Sequence, residues 1–256
     1  MSERAPIIVV KGLSRRFGDV RVLEDLSITV YEGETFVLLG TSGSGKTVLM
    51  KHLEGLLKPD SGKVIIDGHD LTACDGEELM QVRKELGIQF QSGALFDSMS
   101  VFDNVAFPLR ELGHVPEPEV KRRVTEVLAL LGLAEATEKL PGDLSGGMRK
   151  RVAFARAMVM KPRVLLADEP TAGLDPLTTD AVADAIITAQ KALGATAFII
   201  THDLPTAFRI ADRVGLLHDG KIIGAAAPEE FKASTHPAVK AFLKDWLESE
   251  AAARKL

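Results

Sequence analysis

Thr35-Phe36-Val37-Leu38-Leu39, followed by Gly40-Thr41-Ser42-Gly43-Ser44-Gly45-Lys46-Thr47, is the stretch from which the fold can be read. An apolar run leads into G-x-x-x-x-G-K-[ST], and an apolar helical pattern follows. That is the strand–loop–helix context a phosphate-binding loop needs. The glycines let the backbone curl so that its N–H groups face phosphate oxygens at the positive end of the next helix. Lys46 can reach the β- and γ-phosphates of a nucleotide, and the Thr47 hydroxyl can ligate Mg²⁺. The loop alone leaves kinases, GTPases, helicases and transporters open.

A second segment, Leu144-Ser145-Gly146-Gly147-Met148, removes most of those options. Ser145 is a good N-cap, and the helix it opens is expected to run through Arg149, Lys150 and Arg151 to about Met160. Gly146 and Gly147 are expected to leave backbone N–H groups uncovered at that helix start, which makes a second anion site. Downstream, Val164-Leu165-Leu166-Ala167 reads as a buried strand ending in Asp168 and Glu169. An isolated Asp-Glu pair usually just caps a strand. Beside a phosphate loop, Asp168 is expected to hold a Mg²⁺ shell through water, and Glu169 to polarise an attacking water as general base. His202 follows the strand pattern Ala197-Phe198-Ile199-Ile200-Thr201 and would reach both the γ-phosphate and Glu169.

Together these segments resemble the nucleotide-binding subunit of ABC (ATP-binding cassette) ATPases, over nearly the whole chain. The resemblance adds three residues. Phe17, ahead of the first glycine turn, stands where the family carries an aromatic that stacks on adenine. Gln91, in Phe90-Gln91-Ser92, matches the Q-loop glutamine that contacts Mg²⁺ and the attacking water. Asp175, in Ala172-Gly173-Leu174-Asp175, matches the D-loop. By the same resemblance, Ser145, Gly146 and Gly147 bind the γ-phosphate held by the loop of another subunit, so that two ATP are sandwiched between head-to-tail cassettes. The chain has one phosphate loop, one LSGGM and no repeat at that scale. A second copy in a C2 homodimer is the expected partner.

Composition is consistent with such an enzyme. The 256 residues, 46% of them hydrophobic, are enough for a substantial core. A lone Cys74 permits no intramolecular disulfide. No apolar stretch approaches the roughly 18 residues of a membrane span, and the N-terminus lacks a signal-peptide pattern. The net charge of −5 argues against a general affinity for nucleic acid. Arg149-Lys150-Arg151 is expected to fan around its helix and pair with acidic neighbours, so no nucleic-acid partner is expected. His52, His69, His114, His218 and His236 lack metal-ligand spacing and read as structural or solvated. Met80, Met99, Met148, Met158 and Met160 read as fillers of core or interface gaps.

The predicted class is α/β: a P-loop NTPase of the ABC ATPase type, with a mainly parallel core sheet, an antiparallel β lobe and an inserted helical subdomain. Segments near 6–10, 22–30, 35–40 and 64–67 suggest an antiparallel lobe around the first core strand. Runs at 87–90, 164–168, 196–201 and 214–217 alternate with helical stretches, as in a parallel sheet. The helical subdomain falls at about 92–162, with Val120, Val124, Val127, Leu128 and Leu131 on one stripe. Residues 1–235 form the ATPase domain and 236–256 a C-terminal helix and tail. In that helix Val239, Phe242, Leu243, Trp246 and Leu247 recur at helical spacing, ready to pack on their own core or to reach the other cassette. The residues through Leu256 are expected to fray.

Residues 90–111, FQSGALFDSMSVFDNVAFPLRE, resemble the ATPase of MCE-type lipid transporters, the Mla phospholipid-trafficking branch. Met148, where most cassettes have Gln, points the same way. In transporter ATPases this segment lines the groove for the permease, and Leu95 or Phe96 is expected to touch it. The resemblance implies a peripheral subunit on the cytoplasmic face of the inner membrane, contacting that membrane through permease subunits. It also implies an MCE-domain protein and a small STAS-fold subunit as partners, and a role in outer-membrane lipid asymmetry. The alternatives are an importer or exporter ATPase for a polar solute, and a non-transport cassette. The last would carry coiled-coil or zinc-binding insertions or two cassettes in one chain, and the sequence has neither.

Overall fold

Strands buried on both faces need two cores, and the central strands here supply one to each side. The computed structural model describes residues 4–113 and 115–253, so His114, read above as structural or solvated, and the last residues through Leu256, read as frayed, lie outside it. The chain opens with a long hairpin, β1 (Pro6–Phe17) and β2 (Val20–Tyr31), and then enters the buried strand β3 (Thr35–Leu39). Helix α1 (Lys46–Leu53) leads to β4 (Ser61–Ile66), β5 (His69–Asp70), α2 (Gly76–Lys84) and β6 (Leu86–Gln89). Three helices follow: α3 (Val101–Glu111), α4 (Glu117–Leu130) and α5 (Gly146–Met158). Strands β7 (Val164–Asp168) and β8 (Thr196–Ile200) flank α6 (Pro176–Leu193). After α7 (Leu204–Ile210) come β9 (Arg213–His218), β10 (Lys221–Ala226), α8 (Pro228–Lys232) and α9 (Pro237–Ala253).

Two sheets result. One is antiparallel, in the order β2-β1-β4-β5. The other has the order β10-β9-β3-β8-β7-β6, with β9, β3, β8, β7 and β6 parallel and β10 antiparallel at the edge. The expected segment at 35–40 is therefore the first strand of the core sheet, hydrogen-bonded to β8 and β9, while the lobe is built by the other three segments and β5. Successive side chains of a strand point to opposite faces. Accordingly Val37, Leu165 and Ile199 join a core shared with α3 to α9, and Phe36, Leu38, Leu166 and Phe198 join a second core under the antiparallel lobe and α1. Phe36 and Phe198 stack across the strands with ring centroids 5.5 Å apart.

The helical insert follows its apolar stripe: Val120, Val124, Val127, Leu128 and Leu131 are all buried. The C-terminal helix packs on its own chain. Val239 and Leu243 are buried in the larger core, and Trp246 lies against Phe208 at 4.9 Å between centroids. Met158 is buried and Met148 and Met160 are partly so, but Met80 is exposed. Replacing Phe198 with Ala removes a fully buried ring that stacks on Phe36. It should cost about 3–5 kcal/mol, read as a lower urea midpoint at unchanged slope; a midpoint within error of the parent would contradict this account of the core.

Candidate nucleotide site

Three parallel strands end level. Ile200 of β8 pairs with Leu38 of β3 on one side and with Asp168 of β7 on the other. The loop 40–45, Glu169, and Thr201-His202 therefore leave the sheet at the same carboxyl edge, where open α/β sheets bind ligands. The backbone continues this registration one residue further, since the Glu169 N–H donates to the Ile200 carbonyl at 2.8 Å.

Glu169 sits in the left-handed region at φ +46, a conformation usually reserved for glycine and sparsely used elsewhere. Its carboxylate is buried and held at both oxygens. His202 Nδ1 lies 2.8 Å from Oε1, and the Thr201 hydroxyl donates to Oε2 at 3.1 Å. A carboxylate only accepts, so Nδ1 carries the proton and Nε2 is left for another partner. The His202 side chain is 69% exposed. A pocket of about 370 Å³ opens beside the pair, walled in part by Thr171, Gly173, Leu174 and Asp203.

The loop is built around close approaches. Gly45 has φ +103, and a Cβ there would sit 3.0 Å from Val22 Cγ1 and 3.2 Å from the Val22 carbonyl. At Gly40 a Cβ would sit 2.7 Å from Ser44 Oγ and 2.9 Å from the Leu217 carbonyl. Lys46 folds back, donating from Nζ to the carbonyls of Gly40 at 2.7 Å and Thr41 at 2.9 Å. Burial holds its pKa below the usual lysine value against the opposing pull of Glu169 and Asp168. Burial, with the charge of Glu169 next, raises the pKa of Asp168, and Lys46 opposes the rise. Ser44 Oγ is buried with no partner. An ammonium, an orphaned hydroxyl and a loop of N–H groups fit a polyphosphate. Thr47, Asp168 and Gln91 offer only oxygen and amide groups, the donor set that suits Mg²⁺.

The remaining predicted residues are placed as follows. Phe17 ends β1 and is half exposed, Gln91 is exposed just past β6, and Asp175 caps α6 by accepting from Thr178 N–H at 3.1 Å. Ser145 caps α5, accepting from Met148 N–H at 3.3 Å. Gly146 is partly covered by Leu174, and Gly147 is buried. A Cβ on Gly147 would lie 2.6 Å from Thr178 Cγ2, so this glycine also serves the close approach of α5 to α6. The basic triplet also differs from expectation. Arg149 binds the Leu144 carbonyl at 2.6 Å, Arg151 binds the Leu131 carbonyl at 2.9 Å, and Lys150 Nζ binds the Gln91 carbonyl. They satisfy loop carbonyls, not acidic side chains.

Past Gln91, Leu95 is partly buried against the core, whereas Phe96 is exposed and tilts on Phe107 at 4.9 Å. Phe90, Phe96, Phe107, Leu112 and Met160 line an open, mostly apolar groove of about 480 Å³. Two residues that the sequence reading did not single out hold its wall. Buried Asn104 bonds both the N–H and the carbonyl of Phe96, at 2.8 and 3.0 Å. Arg156 forks onto the carbonyls of Gly93 and Ala94, both at 2.7 Å. Of the histidines, His52 is buried with Nδ1 at 2.7 Å from the Leu57 carbonyl, and His69, His218 and His236 are exposed. Among the described residues no cluster of three or more His, Cys, Asp and Glu is placed to hold a metal ion, and no helix is long and apolar enough to cross a membrane.

This fold and site are those of a nucleotide-binding cassette. A family model described as ABC transporter matches residues 23–172, and the chain belongs to that family. It is 44% identical over 236 residues to "Probable ribonucleotide transport ATP-binding protein mkl" of Mycobacterium tuberculosis, covering 92% of this chain and 66% of that protein. The chain thus spans slightly less than two thirds of the length of that relative. It is 41% identical over 234 residues to "Methionine import ATP-binding protein MetN" of Geobacillus kaustophilus, covering 91% of this chain and 68% of that protein. To "Intermembrane phospholipid transport system ATP-binding protein MlaF" of Escherichia coli it is 37% identical over 239 residues, covering 93% and 89% respectively. Among solved structures, the dimeric ATP-binding cassette MJ0796 bound to ADP and Pi superposes with a TM-score of 0.77 at 30% identity, covering 87% of this chain and 99% of that one.

Gly147→Ala should destabilise the chain by about 1–3 kcal/mol, because the new methyl overlaps Thr178 Cγ2. Adding Thr178→Ser, which removes that methyl, should recover most of the loss in urea unfolding. Equal stability of the single and double variants would mean that contact is not what requires glycine.

Proposed function

We propose that the chain is the ATP-hydrolysing subunit of an ABC transporter, dimerising around two ATP to drive a separate membrane permease. We further propose phospholipid as the cargo, in an MCE/Mla-type system that maintains outer-membrane lipid asymmetry. The observation that carries the hydrolytic reading is the Glu169 carboxylate, fixed by His202 and Thr201 at the strand edge that bears the phosphate loop.

In this reading Lys46 exchanges the loop carbonyls for β- and γ-phosphate oxygens, and residues 40–45 turn their N–H groups to the same charge. Ser44 Oγ gains the partner it lacks. Glu169 accepts the proton of the water that attacks the γ-phosphorus, while His202 keeps the carboxylate in place and offers Nε2 to the γ-phosphate. Thr47, Gln91 and, through water, Asp168 would hold Mg²⁺, whose charge offsets that on the phosphate oxygens. Phe17 stacks the base. Ser145, Gly146 and Gly147 of a second copy close on the γ-phosphate, with Asp175 lying beside the closing face. The dimeric state of MJ0796 supports this pairing.

Cargo is recognised by other chains, so support for phospholipid comes from residues 90–111, from Met148 and from the relative MlaF. Permease contact through the groove at Phe96, an MCE-domain partner, a small STAS-fold partner and a position on the cytoplasmic face of the inner membrane rest on the same resemblance. Domain limits at 1–235 and 236–256 belong to this reading as well. The second reading, a polar solute, is favoured by the names of the relatives mkl and MetN.

Glu169→Gln should bind ATP, hydrolyse it very slowly and accumulate an ATP-stable dimer. Purified with ATP from native membranes, it should bring down a permease, an MCE protein and phospholipid, identified by mass spectrometry. Recovery of a solute-binding protein system would overturn the lipid reading, and near-normal turnover would overturn Glu169 as the base. Gly146→Asp should keep single-site ATP binding yet block the dimer, since its carboxylate would face the γ-phosphate; a dimer formed with ATP despite it would contradict closure by LSGGM.

A further inference from the structure

Behind Phe17 lies a residue with no assigned task. The Arg15 guanidinium sits over the Phe17 ring, 4.8 Å from its centroid. Phe17 is nonetheless 46% exposed, so Arg15 covers part of the ring and leaves the rest open. The guanidinium does not wander, because its side chain is only 23% exposed and Nη1 is tied to Asp60 Oδ1 at 2.7 Å. The same nitrogen reaches the Lys58 carbonyl at 3.3 Å. The other oxygen of Asp60 accepts from the Arg16 N–H at 2.7 Å, and the Asp60 N–H donates to the Ser14 carbonyl at 3.0 Å. Asp60 is therefore locked to the strand that carries both Arg15 and Phe17.

That lock extends to the phosphate side of the site. The segment preceding Asp60 is anchored to α1, the helix that begins at Lys46. His52 Nδ1 lies 2.7 Å from the Leu57 carbonyl, and the N–H groups of Leu56 and Leu57 donate to the Lys51 carbonyl at 2.8 and 3.1 Å. A chain of short contacts thus runs from the phosphate helix through residues 56–60 to Arg15 and its ring.

We propose that Arg15 is a positioning residue for base recognition: it backs Phe17, fixes the ring, and so makes the open face a rigid platform for the nucleotide base at a set distance from the phosphate loop. This rests on the reading of Phe17 as the base-stacking residue. An aromatic at an exposed strand end loses rotational freedom when a base stacks on it, and prior fixing removes that cost. A planar guanidinium suits the task because it stacks on a ring while its edge nitrogens bind a carboxylate. Its charge is matched by Asp60, so the contribution goes to the base and not to the phosphates.

The test is calorimetric binding of ATP, and separately of inorganic tripolyphosphate, in EDTA to prevent turnover. The chains are the parent, Arg15→Gln, Phe17→Ala and the double variant. Arg15→Gln should weaken ATP about three-fold, the scale of one cation–π contact, and leave tripolyphosphate unchanged. The double variant should match Phe17→Ala alone. An equal loss for both ligands would mark a purely structural effect and overturn the proposal. So would unchanged or tighter ATP binding by Arg15→Gln in a chain that Phe17→Ala weakens. If Phe17→Ala itself leaves ATP affinity unchanged, the base-stacking reading fails first and this proposal fails with it.

Discussion

The register of three parallel strands is the constraint on which the site depends. Ile200 lies between Leu38 and Asp168, so the residues that follow β3, β7 and β8 emerge within two positions of this level, side by side. One of them is the start of a glycine loop, one is a carboxylate and one is a histidine two residues on. A slip of one residue in any of these strands would invert its side chains between the two cores as well as separate the groups at the edge. The apolar packing that fixes the register and the polar geometry that uses it are therefore one requirement. Glu169 is where the two meet: its backbone continues the sheet through Ile200 in a left-handed conformation, and its buried side chain is held by the residues that follow Ile200.

The helical insert is attached to this edge by cations that bind carbonyl groups. Lys150 reaches the Gln91 carbonyl, and Arg156 forks onto Gly93 and Ala94. Both belong to α5, the helix that Ser145 caps. Ala94 has φ +46 and Gly93 φ +77, so the loop bends sharply to present its carbonyls to Arg156. Asn104 fixes Phe96 from α3. The wall of the apolar groove and the LSGGM helix are thus joined by charge-assisted bonds rather than by apolar contact alone, which gives that junction direction as well as strength.

The fold class was legible because its signals are local. A buried strand, a glycine loop and a helix occupy consecutive residues, and the strands at 164–168 and 196–201 are continuous apolar runs of the parallel-sheet kind. The amphipathic stripe from Val120 to Leu131 likewise reports its own burial. Less legible were features set by distant partners. β10 and α2 carry weak periodicity and owe their places to β9 and β6. That Gly147 also meets Thr178, far along the chain, is not announced by its own segment. Arg149, Lys150 and Arg151 read as partners of acidic neighbours because their actual acceptors are backbone carbonyls, which no side-chain pattern announces. Thr201 gives no signal of its own beside His202, because the Glu169 carboxylate that its hydroxyl holds lies 32 residues away in sequence.

The central claim is that each nucleotide site is completed by the LSGGM of a second copy. The most direct measurement is the specific ATPase rate of the purified chain over a wide range of protein concentration, with the dimer fraction followed in parallel by sedimentation under ATP. The account predicts a specific rate that rises with concentration and tracks the dimer fraction. A monomer that turns over ATP at the full specific rate would contradict it.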